Sequence, residues 1–189
     1  MNQSSEHPLS PSIRLVVAFV LTLLASPLAA QTAPEDVARQ YFTAIGASDY
    51  RAAAAMMHPA ALDQFRDIFR ALAATDTSGE AVKMMFGVAS TREFNTLSSQ
   101  DVFARMLGAI AGASPEMKAA MSSMRANVVG SVPEGADTVH VLYRMTMGVE
   151  GVNMTKMEVL SLQRSGTRWM ALLTADLQGM IQAISAQRR

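Results

Sequence analysis

Cysteine is absent from the 189 residues. A disulfide framework, a thiolate zinc site, an iron–sulfur cluster, a cysteine nucleophile and a lipid anchor on a modified cysteine are therefore all excluded. Histidine is scarce, with three in the chain, too few for a multi-histidine metal centre beside any other role. An excess of either charge is missing too: 16 basic residues balance 16 acidic ones. Without a lysine or arginine run, the chain lacks the clustered cations that tracking a phosphate backbone requires, so nucleic acid is not an expected partner. There is no glycine-rich phosphate loop, no Gly-x-Ser-x-Gly elbow and no internal repeat. No metal or cofactor is implied. What remains is a chain half hydrophobic, with 15 methionines, long enough for one self-sufficient core.

The first thirty residues stand apart. Arg14 precedes the apolar run Leu15 to Ala25, which Ser26-Pro27 interrupts and Leu28-Ala29-Ala30 follows. A charged flank, a short apolar stretch and a small-residue exit form the pattern of a cleavable export signal. A membrane span needs roughly 20 apolar residues, more than this run supplies. The expectation is an export signal over 1–30, a single domain over 31–189, a periplasmic or secreted location, and no stable membrane span after cleavage. Removing Glu6 and Arg14 with the signal leaves 15 residues of each sign on 159 residues, and 14 methionines.

The helical period runs through the first half of the remainder. Thr32-Ala33-Pro34-Glu35 reads as a capping box, and Val37, Tyr41 and Ile45 follow at helical spacing to Gly46. Ser48-Asp49 caps a helix from Tyr50 to Met57, which stops because proline disfavours helical backbone in the preceding residue, His58. A third helix from Pro59 carries Leu62, Phe65, Phe69 and Leu72 on one stripe. Shorter helices are expected over Glu80 to Phe86, after Ser90, over Asp101 to Ile110, and from Pro115 to about Met124. From Ala126 the period becomes two. Asn127–Val132, Thr138–Met147, Val152–Gln163 and Arg168–Thr174 read as four strands with short antiparallel connections, and Ala175 to Ala186 as a closing helix. The fold class is thus α+β: N-terminal helices packed on a curved antiparallel sheet of about four C-terminal strands, with a C-terminal helix.

Alternation assigns the sheet faces. One carries Val139, Val141, Tyr143, Met145, Met154, Lys156, Glu158, Leu160, Leu162, Trp169, Ala171 and Leu173. It is the less polar face, expected under the helices. The other centres on Leu142, Met157, Val159, Met170 and Leu172, suited to a second layer or a homodimer, and His140 points to it. Taking Met147 with Val152 and Arg164 with Thr167 as closing pairs sets Val141 opposite Glu158, Tyr143 opposite Lys156, Leu162 opposite Trp169 and Glu158 opposite Leu173.

The opening Pro34-Glu35-Asp36-Val37-Ala38-Arg39-Gln40-Tyr41-Phe42-Thr43-Ala44-Ile45, then Asp49-Tyr50 and Met56-Met57-His58-Pro59, resembles the start of proteins in the nuclear transport factor 2-like superfamily. The closing Arg168-Trp169-Met170-Ala171-Leu172-Leu173 is similar to that superfamily's last strands. The resemblance spans about residues 34–60 and 126–174, and departs from the superfamily's pattern between Phe65 and Met124. It implies a cone of curved sheet around a pocket. Some members do acid–base chemistry there and others only bind ligands or partners. No catalytic set of the superfamily matches this chain residue by residue.

The residues themselves nominate few groups. Glu158 on the inner face must be paired, hydrogen-bonded or protonated, with Tyr143 and Lys156 nearby, and it is the one candidate general base. Tyr41, His58 and Trp169 complete the pocket candidates. For His58 a structural turn role competes, and for Tyr41 a core role. The methionines, among them Met145, Met154 and Met157, read as adaptable packing for a core or an apolar pocket. The favoured reading is an exported, non-catalytic protein that binds a small apolar or amphipathic ligand, or an envelope partner, between helices and sheet. The alternatives are a cofactor-free isomerase, dehydratase or hydrolase using Glu158, and an envelope assembly protein acting through the outer sheet face.

Overall fold

The computed structural model describes residues 32–149, 152–175 and 177–179. The expected export signal, and most of the expected C-terminal helix, lie outside them. Helices α1 (Pro34–Gly46), α2 (Tyr50–Ala55), α3 (Pro59–Ala73), α4 (Glu80–Phe86), α5 (Thr91–Phe94), α6 (Ser99–Gly112) and α7 (Pro115–Ser123) precede strands β1 (Arg125–Glu134), β2 (Thr138–Val149), β3 (Val152–Ser165) and β4 (Arg168–Ala171). The strands form one antiparallel sheet in the order β1-β2-β3-β4. The α+β expectation holds: helices pack on a four-stranded meander, and residues 175 and 177–179 are helical. Among the described residues no helix is long and apolar enough to cross a membrane.

Short polar side chains set the helix starts. Ser90, Ser98 and Ser114 each accept a hydrogen bond from the backbone N–H three residues on, the first from Glu93, the second from Asp101 and the third from Met117. Such caps contribute about 1 kcal/mol each. Ser98 begins α6 two residues before the expected start at Asp101. The capping box at Thr32 does not form. Helix α1 starts from Ala33 without a side-chain cap, and Glu35 instead accepts a hydrogen bond from the Ser131 hydroxyl of β1. That bond is the main cause holding its carboxyl below the usual range, with its own backbone amide and Arg39 adding to it. A tertiary partner has taken the residue that local chemistry assigned to the cap.

Helix α4 lies between two left-handed glycines, Gly79 at φ 73° and Gly87 at φ 63°. Only glycine adopts this backbone without cost. The loop before it is organised by Asp76, whose Oδ1 accepts from Gly79 N (3.0 Å) and Ser78 Oγ (2.8 Å), and whose Oδ2 accepts from Ala81 N (2.9 Å) and Val82 N (3.2 Å). These bonds, the Ser78 hydroxyl first, hold its carboxyl below the usual aspartate range. Its stabilisation is therefore complete above the unfolded value of about 4 and is lost as pH falls through the lower folded value. In urea titrations, the midpoint gap between wild type and Asp76→Asn is expected to be constant from neutral pH down to about pH 5 and to close below about pH 4. A gap that widens with acid would contradict this arrangement.

The core joins the helices to one sheet face. Val139, Val141, Tyr143, Leu160, Leu162, Ala171 and Leu173 are buried with Tyr41, Phe42 and Ile45 of α1, and with the phenylalanines of α3 to α6. The inner face is the one alternation selected. Its register differs by two residues in each hairpin. The observed pairs are Tyr143 with Glu158, Val141 with Leu160 and Met145 with Lys156, then Leu162 with Ala171 and Arg164 with Trp169. The β2–β3 pairing extends to Val149 opposite Val152, past the expected Met147 closure, and β3–β4 closes at Ser165 opposite Arg168, with Gly166 at φ 62° in the turn. β4 ends at Ala171, short of the expected Thr174, so Glu158 has no β4 partner.

Candidate functional site

Register places Tyr143 and Glu158 directly opposite each other on β2 and β3, where facing side chains stand about 5 Å apart at Cβ. The Tyr143 hydroxyl donates to Glu158 Oε2 at 2.8 Å. Lys156, two residues earlier on the same strand and therefore on the same face, sets its Nζ 2.8 Å from Glu158 Oε1. Both carboxylate oxygens thus accept a hydrogen bond, one from a phenol and one from an ammonium. The ring of Tyr143 is itself buried and lies 4.3 Å from that of Phe42 on α1. Helix and strand together fix the donor that orients the carboxylate.

The three residues mark a boundary. Along β3, Leu162 and Leu160 are buried, the Glu158 side chain is 16% exposed and that of Lys156 63%, and Met154 and Val152 beyond them are exposed. On β2 the neighbours of Lys156 and Met154 are Met145 and Met147, both half-buried. A sealed apolar core thus gives way, across one phenol, carboxylate and ammonium, to an open shelf of methionine and valine on the same face. Charge belongs at such a boundary, because a lone carboxylate placed further in would be costly.

The other candidates lie elsewhere. Tyr41 is buried in the core, its ring 5.3 Å from Phe42, and burial pushes its phenol well above the usual value. His58 is the N-cap of α3: its backbone is extended, as a residue before proline favours, and its Nδ1 accepts from Ala60 N at 3.2 Å. Its N–H also donates to Ala171 O at 2.7 Å, and Ala171 N donates to Met56 O, so this corner covers the free edge of β4. The turn role is thus the one its geometry fills. Trp169 is paired with Arg164, whose guanidinium sits 4.2 Å over its ring. Six residues of β3 separate Arg164 from Glu158, about 20 Å of strand. The structure therefore brings together Tyr143, Lys156 and Glu158, and leaves Tyr41, His58 and Trp169 apart from them.

Phe42 was not nominated, although its ring packs on that of Tyr143. Its place beside Tyr41 at the flank of the α1 stripe was the available signal. Among the described residues there is no group of three or more histidine, cysteine, aspartate or glutamate side chains able to hold a metal ion. The chain matches no protein-family profile and no curated protein.

Proposed function

We propose that this is an exported, non-catalytic protein that binds a small amphipathic molecule on the inner sheet face, with the apolar part on Met145, Met147, Met154 and Val152 and the polar end at Lys156 and Glu158. The observation that carries this reading is the change along β3 from sealed core to exposed apolar shelf across a single polar cluster. Methionine suits such a surface because its unbranched, polarizable side chain repacks around different shapes. A further feature favours binding over turnover. Both oxygens of Glu158 already accept from side chains of the protein itself, the Tyr143 phenol and the Lys156 ammonium, so the carboxylate is occupied rather than poised to take a proton from a substrate. The likeness of Pro34 to Pro59 and Arg168 to Leu173 to the nuclear transport factor 2-like superfamily agrees with a sheet-lined pocket, and we include membership in that superfamily in the proposal.

The test is a titration of methyl-labelled methionine protein with dodecanoate, followed by NMR. The methyl resonances of Met145, Met147 and Met154 are expected to shift together and saturably, while Met84 and Met157, exposed elsewhere, stay in place. Lys156→Glu is expected to weaken dodecanoate binding about tenfold, since a like charge replaces an attractive one at the polar end. Equal shifts at all exposed methionines, or none at the shelf, would overturn the reading.

A further inference from the structure

The outer face of the sheet joins three side chains that the proposed binding site does not use. Ser161 of β3 and His140 of β2 face each other across the ladder, and His140 Nδ1 lies 2.9 Å from Ser161 Oγ. The other ring nitrogen, Nε2, lies 2.7 Å from Glu134 Oε2 at the end of β1. Register explains the meeting. Val132 is the β1 partner of His140, and Glu134, two residues on, stands on the same face within diagonal reach. The group is open to solvent: the His140 side chain is 35% exposed and that of Glu134 70%, with Ser161 half-buried beside them.

The chemistry of the three groups assigns the protons. An ionised carboxylate only accepts, so Nε2 carries the hydrogen that Glu134 receives. In the neutral imidazole Nδ1 is then the acceptor, and the hydrogen bond to it comes from the Ser161 hydroxyl. A hydroxyl bonded to a base that a carboxylate orients is the arrangement that activates a serine as a nucleophile. The two ring nitrogens exchange places relative to the commonest triad, which is chemically equivalent because either can take the proton. Other serines are engaged differently. Ser131 donates to Glu35, Ser123 donates to Ala120 O and accepts from Gly148 N, and Ser90, Ser98 and Ser114 cap helices.

We infer that Ser161 is a reactive serine, acylated by activated esters, with His140 as its base and Glu134 as the residue that positions the ring. Ser161 Oγ attacks the carbonyl carbon while its proton passes to His140 Nδ1. The bond from that carbon to the leaving aryl oxide or thiolate breaks, and the leaving group takes the proton from Nδ1. The product is a serine alkyl ester, a poorer acyl donor than the ester that formed it. The acyl group therefore stays on the chain, and the step is a modification, not a turnover. Val132, paired with His140, and Val159, two residues before Ser161, are exposed on this face and offer apolar contact to a short acyl chain. This chemistry is independent of ligand binding on the inner face.

The probe is p-nitrophenyl butyrate. Trypsin releases the peptide Met157 to Arg164, in which Ser161 is the one side chain with a hydroxyl or an amine, so its butyrylation, read by mass spectrometry, reports Ser161 alone. Folded protein is expected to be butyrylated there at least about tenfold faster than the same chain in denaturing urea, a modest share of what a positioned base contributes. His140→Asn is expected to lose that advantage with unchanged circular dichroism. Glu134→Ala is expected to slow the reaction about threefold, and Glu134→Gln less, since an amide carbonyl still accepts from Nε2. Ring ¹⁵N NMR of neutral His140 is expected to show the proton on Nε2. Equal rates in folded and unfolded chains, a His140→Asn variant as fast as wild type, no effect of Glu134→Ala, or a ring protonated at Nδ1 would overturn the inference.

Discussion

Phe65→Ala is expected to lower the stability of the domain by about 3–5 kcal/mol, the usual cost of emptying a phenylalanine site that cannot collapse. Phe65 is fully buried on α3, 4.8 Å from Phe69 and 5.4 Å edge-on from Phe103 of α6. Phe69 continues to Phe86 of α4 at 5.3 Å, and Phe86 to Phe94 of α5 at 4.9 Å. The rings form a chain through four helices, and each contact adds about 1 kcal/mol beyond the area it buries. Phe65 is the member that ties α3 to α6, so its loss leaves a cavity walled by two long helices rather than by an adaptable loop. Domains of this size have a total stability of about 5–15 kcal/mol, so the expected loss is at least about a fifth of it. Urea titration with an unchanged slope and a lowered midpoint is the expected signature, with Phe65→Leu losing much less. A loss under about 1.5 kcal/mol for the alanine variant would mean that the rings do not carry the helical layer.

Val141→Asp is expected to abolish folding, whereas Val159→Asp is expected to leave the domain within about 0.5 kcal/mol of wild type. The two valines differ in the face they occupy. Val141 is fully buried between Leu160 and Ser131 in its cross-strand row, and no cation stands in that row, so a carboxylate there is desolvated without an ion partner. Val159, one step past the Val141–Leu160 pair on β3, faces outward. Circular dichroism and thermal melting separate the two results. Similar behaviour of both variants would refute the assignment of faces.

The contrast between these two residues shows how far the amino-acid order reaches. Alternation of period two marked Val141, Tyr143, Leu160 and Leu162 as inner and Met157 and Val159 as outer, and their burial follows it. Alternation repeats every two residues, and is therefore blind to a slip of two. That slip is the one that occurred. Pairing extended to Val149 and Val152 in one hairpin and closed on Ser165 and Arg168 in the next. Every side chain kept its face and changed its partner, so Tyr143 meets Glu158 and not Lys156. At Glu35 the difficulty was of another kind. A capping box is a local competition among neighbouring groups, and Ser131, 96 residues away, won it.

Residue order and elementary chemistry by themselves determined the absence of thiol chemistry, the helix starts at Ser90 and Ser114, the antiparallel meander and the choice of buried face, because these depend on local hydrogen bonds and on the parity of side chains along a strand. Only the tertiary structure decided that Tyr143, Lys156 and Glu158 form one cluster, that His58 caps a helix and helps cover the β4 edge, and that Trp169 stands at the far end of β3 under Arg164. Each of these depends on register or on a contact between distant segments. Hairpin closure and helix packing select them through the summed burial of many residues, and no single residue's neighbours encode that sum.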